Sequence, residues 1–281
     1  MSMSTTTPTI VSTLFVIALT AGSLIAETTD AQPATRQTPD SQASDAQTLK
    51  HDVYLLSTNY IDSDHPAVIA AMKQAVGDKK SVRERAIGIH DFVRDEIQFG
   101  WTASFYDQKA SEVLDAKVGF CNTKATLFIA MLRAAEIPAR QRFVSINTDI
   151  IGDFISPGTP YVDHSYTEVF LNDRWVKTDS YIVDSDLYNA ALPKLSEEGR
   201  IIGYGVHKNG THTWDGKDNA FAQFLDDGTH PGLTNIDHGV YSDIGAFYAS
   251  GNAINQLGIV GRLFFALAKA SANNKIESLR Q

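Results

Sequence analysis

The nine residues GFCNTKATL at positions 119–127 decide the fold of this chain, and they contain its only cysteine, Cys121. Apolar residues continue at helical spacing as far as Ala135, which predicts a helix with a broad buried face. Ile137-Pro138 ends the pattern, because proline cannot continue a helix. We therefore expect a buried helix that begins at or just after Cys121, behind a turn at Gly119.

The position of this cysteine favours nucleophilic chemistry. A thiol attacks only as the thiolate, and the free N–H groups and positive dipole end of a helix favour that charged form. The main-chain N–H of Cys121 would also be free to donate to an oxyanion that develops during acyl transfer. The alternative interpretation is a small buried apolar side chain, which is common for a lone cysteine. Such a role requires no helix start.

Two further helices are expected before the cysteine. Asp64 can cap a helix from Pro66 to about Val76, with proline in its first turn. Ser81-Val82-Arg83-Glu84 forms a capping box that opens a second helix. A short helical stretch is expected at 110–114. The first half of the fold should therefore be helical.

After the cysteine helix the pattern changes to that of a sheet. β-branched and aromatic residues in short runs over 139–146, 164–171 and 175–181 predict three strands. Asn172-Asp173-Arg174 is the turn expected to join the last two. Helices followed by a run of strands predict an α+β fold.

The register of this hairpin would connect a histidine to a carboxylate. If Leu171 pairs with Arg174, then Tyr166 falls opposite Asp179. His164 lies two residues before Tyr166 on the same face, diagonal to Asp179 and within side-chain reach. The aspartate could then orient one ring nitrogen while the other faces a thiol, which is the arrangement of nucleophile, base and orienting group in hydrolytic triads.

Two further charged residues complicate this face of the hairpin. The same register places Glu168 and Lys177 beside the histidine. A charge on a buried sheet face is costly unless it is paired. We therefore expect either a β-bulge that turns these side chains away or a face that is partly solvated.

Three motifs in this chain resemble those of the transglutaminase-like superfamily. The resemblance covers roughly residues 80–182, and its segments occur in the family's order. They are ASEVL at 110–114, GFCNTKATL at 119–127, LRAAEIPAR at 132–140, HSYTEV at 164–169 and RWVKTD at 174–179. The segments from 110 to 140 form the first motif and match most strongly.

The resemblance implies a papain-like fold in which the cysteine lies on a helix packed against an antiparallel sheet. It implies Cys121 as nucleophile, His164 as general base and Asp179 as the orienting residue, with a thioester intermediate. Phe120 and Asn122 flank the cysteine, where animal transglutaminases carry Gln and Trp. This difference speaks against Gln–Lys crosslinking more than against thiol chemistry. For an exported enzyme with no visible acceptor site, we expect hydrolysis by a peptidase, amidase or deamidase over crosslinking.

Two non-enzymatic interpretations stay open at this stage. The chain could be a catalytically inactive transglutaminase-like binding module of the cell envelope, or a secreted structural protein with a core cysteine. Retention of the His164–Asp179 pair argues against the first, because buried polar groups cost stability when they have no function. For the enzyme we expect a protein or peptide substrate, with the cell envelope as one source.

An oxyanion hole needs a second donor, and three residues upstream of the cysteine are candidates. They are Trp101, Tyr106 and Gln108. The alternative for each aromatic residue is a place in the core. The mechanism requires no cofactor, and we expect no metal, because the four histidines of the C-terminal part lack the tight spacing of a ligand motif. These histidines are His207, His212, His230 and His238.

The ends of the chain suggest four parts. Residues 1–26 include an uncharged apolar segment that resembles a secretory signal peptide, with an uncleaved membrane anchor as the alternative. Residues 27–48 lack aromatic and large aliphatic residues and are expected to be a disordered linker. The catalytic core is expected at 49–186. A loop-rich extension at 187–281, with a helix near 252–272, would complete or cap it.

Composition narrows the partners and the location. The chain carries a formal net charge of −9 and no run of Lys or Arg, which argues against nucleic-acid binding. The signal-like segment predicts an exported protein, periplasmic or secreted, without stable membrane insertion after cleavage. The oligomeric state is left open.

Overall fold

The fold consists of helices packed on an antiparallel sheet, and the computed structural model describes it for residues 51–225 and 235–281. Within these residues the α-helices are α1 (Pro66–Val76), α2 (Val82–Glu96), α3 (Ala110–Ala116), α4 (Cys121–Ala134), α5 (Ser185–Glu197), α6 (Ile244–Ala249) and α7 (Ile259–Arg280). The strands are β1 (Gln98–Phe99), β2 (Val118–Gly119), β3 (Ala139–Asn147), β4 (Tyr161–Leu171), β5 (Arg174–Thr178), β6 (Ile202–Gly203), β7 (Val206–His207) and β8 (Ile236–Tyr241). The α+β class predicted from the sequence is confirmed.

The helices that precede the cysteine begin at recognisable caps. At α2 the predicted capping box is present, because the N–H of Glu84 donates to Ser81 Oγ while the Glu84 carboxylate accepts from the N–H of Ser81. The predicted cap of α1 was wrong. His65, not Asp64, accepts from the N–H of Ala67 through Nδ1, because His65 is the residue that immediately precedes the first helical position.

Helix α4 is the centre of the core. Its residues from 121 to 133 are all buried, with α1, α2 and α3 packed around it and strands β3 and β4 against another side. Glycine is required at position 119, before this helix, for steric reasons. A Cβ atom there would lie 2.9 Å from Lys124 Cγ and 3.0 Å from Thr123 Oγ1, so a side chain would push the first helical turn away.

A buried lysine ties α4 to α2. The Lys124 ammonium donates to the carbonyl oxygens of Ile97 and Arg94, the latter at 3.1 Å, and these carbonyls lie at the C-terminal end of α2. Burial lowers the pKa of Lys124 to about 7, although the charges of Asp184 and Asp95 oppose the shift. The lysine therefore satisfies two helix-end carbonyls that would otherwise be buried without a partner.

The four-stranded sheet has the order β5-β4-β3-β8, and each neighbouring pair is antiparallel. Leu171 pairs with Arg174, as predicted from the turn. Asn172 and Asp173 both have positive φ, 50° and 61°. This is the backbone of a two-residue type I′ hairpin, which asparagine and aspartate tolerate. Strand β5 ends at Thr178, three residues earlier than expected.

Glu168 on the hairpin face is ion-paired, Lys177 is partly exposed, and the predicted bulge is absent from the β4–β5 pairing. Glu168 lies opposite Lys177 in regular register and is only 2% exposed. Its carboxylate forms ion pairs with Arg140 and Arg142 on β3. The expected solvation of this carboxylate was therefore wrong, because two guanidinium groups compensate its burial.

The last helix packs on the core and also presents an apolar face to solvent. Arg280 pairs with Asp184 at 2.6 Å, which anchors the C-terminal end. Helix α7 begins at Ile259, later than the predicted start at Asn252, because Ile254 and Asn255 are held by Asp163. Its first half carries large apolar side chains that are at least 66% exposed, namely Ile259, Val260, Leu263, Phe264 and Leu267.

The predicted signal peptide at 1–26 and linker at 27–48 lie outside the described residues. Within 51–225 and 235–281, none of the helices combines the length and the apolar character that a bilayer crossing requires.

Candidate functional site

Cys121 begins the buried central helix, as the sequence predicted. The residue is 8% exposed and lines a cavity together with His164. Its Sγ lies 3.8 Å from the carbonyl oxygen of Asp163. As the first helical residue, Cys121 has no carbonyl within the helix to receive its main-chain N–H. The thiol and a free N–H donor therefore lie at one end of this cavity.

The hairpin brings the predicted histidine and aspartate together. His164 Nε2 lies 3.0 Å from Asp179 Oδ2, and both side chains are almost fully buried. Burial alone would lower the pKa of His164. The charge of the Cys121 sulfur, the hydrogen bond to Asp179 and a hydrogen bond to Cys121 outweigh it and raise this pKa to about 9. The imidazole is therefore protonated at neutral pH and is in contact with both Cys121 and Asp179.

Asp179 is held by a segment that lies more than 40 residues downstream. Its Oδ1 accepts from the N–H groups of Ala222 and Gln223, and its Oδ2 accepts from the N–H of Phe224 at 2.8 Å. The same segment is fixed to β5, because Ala220 exchanges main-chain hydrogen bonds with Lys177 and Asp179. Three N–H donors and one imidazole therefore fix the carboxylate and compensate its burial.

The downstream segment also covers the imidazole. The Phe224 ring is stacked on His164, with ring centroids 6.4 Å apart at an angle of 18°. It is also stacked on Tyr166 at 5.3 Å. No sequence pattern predicted this segment, because residues 220–224 lie in a region without helical or strand periodicity.

The cavity beside Cys121 has a volume of about 280 Å³. One wall comes from the segment between β1 and α3, with Trp101 and Phe105, and another from Ile150 and Val162 near the sheet. Helix α7 contributes Phe265, whose ring lies 4.7 Å from that of Phe105. The Cys121 thiol therefore faces a mainly apolar chamber.

Asp163, which was not predicted as a site residue, contributes to the polar part of the cavity wall. Its carboxylate accepts from the N–H groups of Ile254 at 3.0 Å and Asn255 at 2.7 Å, and from Ser145 Oγ at 3.2 Å. Desolvation raises the pKa of Asp163, and these hydrogen bonds oppose the rise. Asp163 therefore fastens the loop before α7 beside His164, its neighbour in the chain. The position of Asp163 next to His164 could be read from the sequence, but the loop that its carboxylate binds could not.

The three predicted oxyanion donors occupy different places. Trp101 lines the cavity, but its main-chain N–H donates to Asn273 Oδ1 at 3.0 Å. The Tyr106 hydroxyl accepts from Arg262 at 2.8 Å, and Gln108 Oε1 accepts from Thr102 Oγ1 at 2.6 Å. Neither Tyr106 nor Gln108 is part of the cavity wall.

Tyr248 on α6 lines the cavity and was not predicted. Its ring is stacked on Tyr106 with centroids 3.6 Å apart, and its hydroxyl oxygen accepts from Asn122 Nδ2 at 3.2 Å. Burial raises the pKa of Tyr248 well above its ordinary value, and the charges of Asp163 and Cys121 add to the rise. The hydroxyl therefore keeps its proton, and an accepted hydrogen bond leaves that proton free to be donated.

A second Ser–His–Asp arrangement lies beneath the site. His90 Nε2 is 2.7 Å from Ser180 Oγ, and Nδ1 is 2.9 Å from Asp91. Burial lowers the pKa of His90, and both His90 and Ser180 are fully buried. Ser180 also contacts Thr178 Oγ1 at 2.8 Å. Without access to the cavity, this network serves to fix the turn that carries Asp179.

The downstream histidines have structural surroundings. His212 packs against Tyr188, and His238 contacts Ser145 Oγ at 2.8 Å. His230 lies outside the described residues. Within 51–225 and 235–281, no group of three His, Cys, Asp or Glu side chains could hold a metal ion.

The described residues form an α+β core in which a cysteine-bearing helix packs on an antiparallel sheet. Residues 70–180 match the family model described as the transglutaminase-like superfamily. The resemblance predicted from the motifs is therefore confirmed for this part of the chain.

Beyond the family match, the similarity of this chain to known proteins is low. No curated protein matches the chain. A solved structure from Cytophaga hutchinsonii, described as "a Putative Cysteine Protease", is similar with 20% identity and a TM-score of 0.37. The similarity covers 44% of this chain and 39% of that one.

Proposed function

We propose that this chain is an exported cysteine-dependent enzyme that transfers or hydrolyses acyl groups of amide or peptide bonds. The observation that carries the proposal is the buried contact between His164 and Asp179 beside a thiol at a helix start. We favour hydrolysis, by a peptidase, amidase or deamidase, over Gln–Lys crosslinking. Export rests on the apolar segment at 10–26 of the sequence.

In the first step the Cys121 thiolate attacks the carbonyl carbon of the substrate, and a C–S bond forms. The main-chain N–H of Cys121 and the hydroxyl of Tyr248 donate to the oxygen that becomes negative. Two donors that are already in place before the reaction stabilise this charge without reorganisation. Tyr248 takes the place that we expected for Trp101, Tyr106 or Gln108.

The second step releases the amine. The His164 imidazolium protonates the leaving nitrogen, the C–N bond breaks, and a thioester on Cys121 remains. The raised pKa of His164, about 9, keeps this acid protonated at neutral pH. Neutral His164 then takes a proton from water, which attacks the thioester, and the carboxylate product leaves with Cys121 again as thiolate.

Asp179 has an orienting role in this scheme. Its carboxylate accepts the Nε2 proton of His164, so Nδ1 is the nitrogen that exchanges protons with the thiol and the substrate. The main-chain donors at 222–224 hold Asp179 still. A carboxylate that is held by three N–H groups keeps its position relative to His164 throughout the reaction.

The competing function is an inactive binding module that keeps the fold. Alkylation of the single thiol separates the two, because only an activated cysteine depends on its histidine. At pH 7 we expect iodoacetamide to label wild-type Cys121 at least about tenfold faster than the thiol of His164→Ala, since the thiolate loses its counter-ion. His212→Ala is the control and should label as wild type does. Equally slow labelling of wild type, His164→Ala and His212→Ala would contradict the proposal that Cys121 is an activated nucleophile.

A further inference from the structure

The cavity wall favours one chemical class of acyl donor. Apolar side chains form most of it, among them Trp101, Phe105, Phe120, Ile150, Val162 and Phe265. No Lys or Arg is among the described residues that line it. The imidazolium of His164 is already paired with Asp179 and Cys121, so a donor with a carboxylate or phosphate beside the reacting carbonyl would lose its hydration without gaining an unpaired counter-ion.

Three side-chain amides of the wall, those of Gln223, Asn255 and Gln256, are hydrogen-bonded within the protein. Gln223 Nε2 donates to the carbonyl of Gly205 at 2.7 Å, and Gln256 Nε2 donates to the carbonyl of Tyr248 at 3.0 Å. Asn255 Nδ2 is used by Thr159 Oγ1 at 3.3 Å. Part of the hydrogen-bonding capacity that a glutamine side chain of a donor would need is therefore used within the protein.

The Asp163 carboxylate does not change this conclusion. Three donors from Ser145, Ile254 and Asn255 already occupy its oxygens, and the residue is 2% exposed. A carboxylate this deeply buried offers a donor with an amine side chain little accessible surface to pair with. Charged donors of either sign are therefore disfavoured.

The volume of the cavity shows how large an acyl group fits beside the thiol. At about 30 Å³ for a water-sized group, 280 Å³ holds roughly nine such groups. This is the size of an aromatic or large aliphatic side chain, or of a straight chain of about eight carbons. We infer that the enzyme takes acyl donors whose acyl group carries a bulky apolar chain next to the reacting carbonyl, an inference that rests on the proposed function.

The direct test compares donors that share one leaving group. Acetyl-Phe, acetyl-Leu, acetyl-Gln, acetyl-Glu and octanoyl 4-nitroanilides would be assayed for kcat/KM. We expect the best apolar donor to exceed acetyl-Gln at least about tenfold and acetyl-Glu about 100-fold, because polar groups would be buried without partners. If the octanoyl donor reacts faster than acetyl-Phe and acetyl-Leu, the natural donor is of the lipid type. If acetyl-Phe and acetyl-Leu react faster, the natural donor is a peptide. Equal rates, or a faster acetyl-Gln donor, would overturn the inference.

A substitution at the mouth of the cavity sharpens the test. Ile254 lines the cavity and is 37% exposed, so a lysine can be accommodated without unfolding. Ile254→Lys should raise kcat/KM for acetyl-Glu about tenfold and lower that for acetyl-Phe, because it adds a counter-ion. The matched control is Ile236→Lys, at a position that is 38% exposed and outside the cavity wall. Unchanged selectivity in Ile254→Lys would overturn the inference.

Binding to an inactive variant separates this inference from the proposed function. In Cys121→Ala, the fluorescence of Trp101 in the cavity wall should report acetyl-Phe-amide binding at least about tenfold tighter than acetyl-Gln-amide. If no anilide forms an acyl-enzyme but this binding preference holds, the proposed function fails and the apolar site stands. If the two amides bind equally, the apolar site fails whether or not the enzyme is active.

Discussion

The main-chain N–H of Phe224 donates to Oδ2 of Asp179 at 2.8 Å. The same oxygen accepts from His164 Nε2, so a residue 45 positions downstream of the aspartate shares an oxygen with the histidine. The other oxygen receives the N–H groups of Ala222 and Gln223. The C-terminal part of the chain therefore takes part directly in positioning the His–Asp pair.

Asp179→Asn should inactivate the enzyme and loosen this segment. An amide NH₂ would face N–H donors in place of a carboxylate oxygen, and it would no longer hold the Nε2 proton of His164. We expect kcat to fall about 10²- to 10⁴-fold, with increased amide hydrogen exchange at 222–224. Asp186→Asn, at an exposed position on α5, is the control. Wild-type kcat in Asp179→Asn would contradict the orienting role.

The titration of His164 should depend on Cys121. Its pKa is raised to about 9, and we expect an NMR titration to show this value in wild type and a lower one in Cys121→Ala, because the negative charge and a hydrogen bond are removed. Identical titrations in the two proteins would show that the thiol and the imidazole do not interact.

The same raised pKa makes stability depend on pH. Between about pH 6.5 and pH 9 the folded state keeps the His164 proton that the unfolded chain loses. The stabilisation of about 3 kcal/mol is complete below pH 6.5 and lost as pH rises through 9. Urea unfolding of wild type and His164→Phe across pH 6–10 measures it. The difference in unfolding free energy between them should shrink with increasing pH, and a constant difference contradicts the charge pairing.

Tyr248→Phe tests the second oxyanion donor. Loss of a single donor should lower kcat about 10²- to 10³-fold while KM changes little, since the hydroxyl acts on charge that develops in the transition state. Tyr106→Phe is the matched control, because its ring is stacked on Tyr248 but its hydroxyl contacts Arg262. If Tyr106→Phe loses as much kcat as Tyr248→Phe, the assignment is wrong.

Asn273→Ala should destabilise the site from a distance. This side chain of α7 accepts from the N–H of Trp101 at 3.0 Å and donates to its carbonyl at 2.9 Å. Removing both bonds leaves a main-chain donor and acceptor without partners, which costs about 1–3 kcal/mol each when they are buried. Denaturant unfolding measures the loss, and exposed Asn274→Ala is the control. Equal stability of the two variants would mean that α7 does not hold this segment.

Local patterns predicted a large part of this fold. The helix start at Cys121 and the hairpin pairing of Leu171 with Arg174 follow from periodicity and turn chemistry, which act over a few residues. The early end of β5 was not predictable, because Thr178 is where the chain turns towards the segment at 220–224. The burial of Glu168 was expected to be unfavourable, because its partners Arg140 and Arg142 lie on another strand and could not be identified from the hairpin alone.

The parts of the site that escaped prediction depend on contacts between distant residues. Asp163 is fixed by Asn255, and Tyr248 meets Cys121 only because α6 packs on the central helix. Buried Lys124 has partners on α2 that no spacing rule connects to it. Sequence periodicity reports which face of an element is buried, but it carries no information on which distant element covers that face.

Trapping of the acyl-enzyme would show whether Cys121 is the nucleophile. Wild-type protein mixed with a reactive acyl anilide and quenched in acid should gain the mass of the acyl group, and peptide mapping should place it on Cys121. Cys121→Ala should gain no mass and release no product. Product formation by Cys121→Ala at the wild-type rate, or turnover in wild type with the acyl group on another residue, would contradict the account.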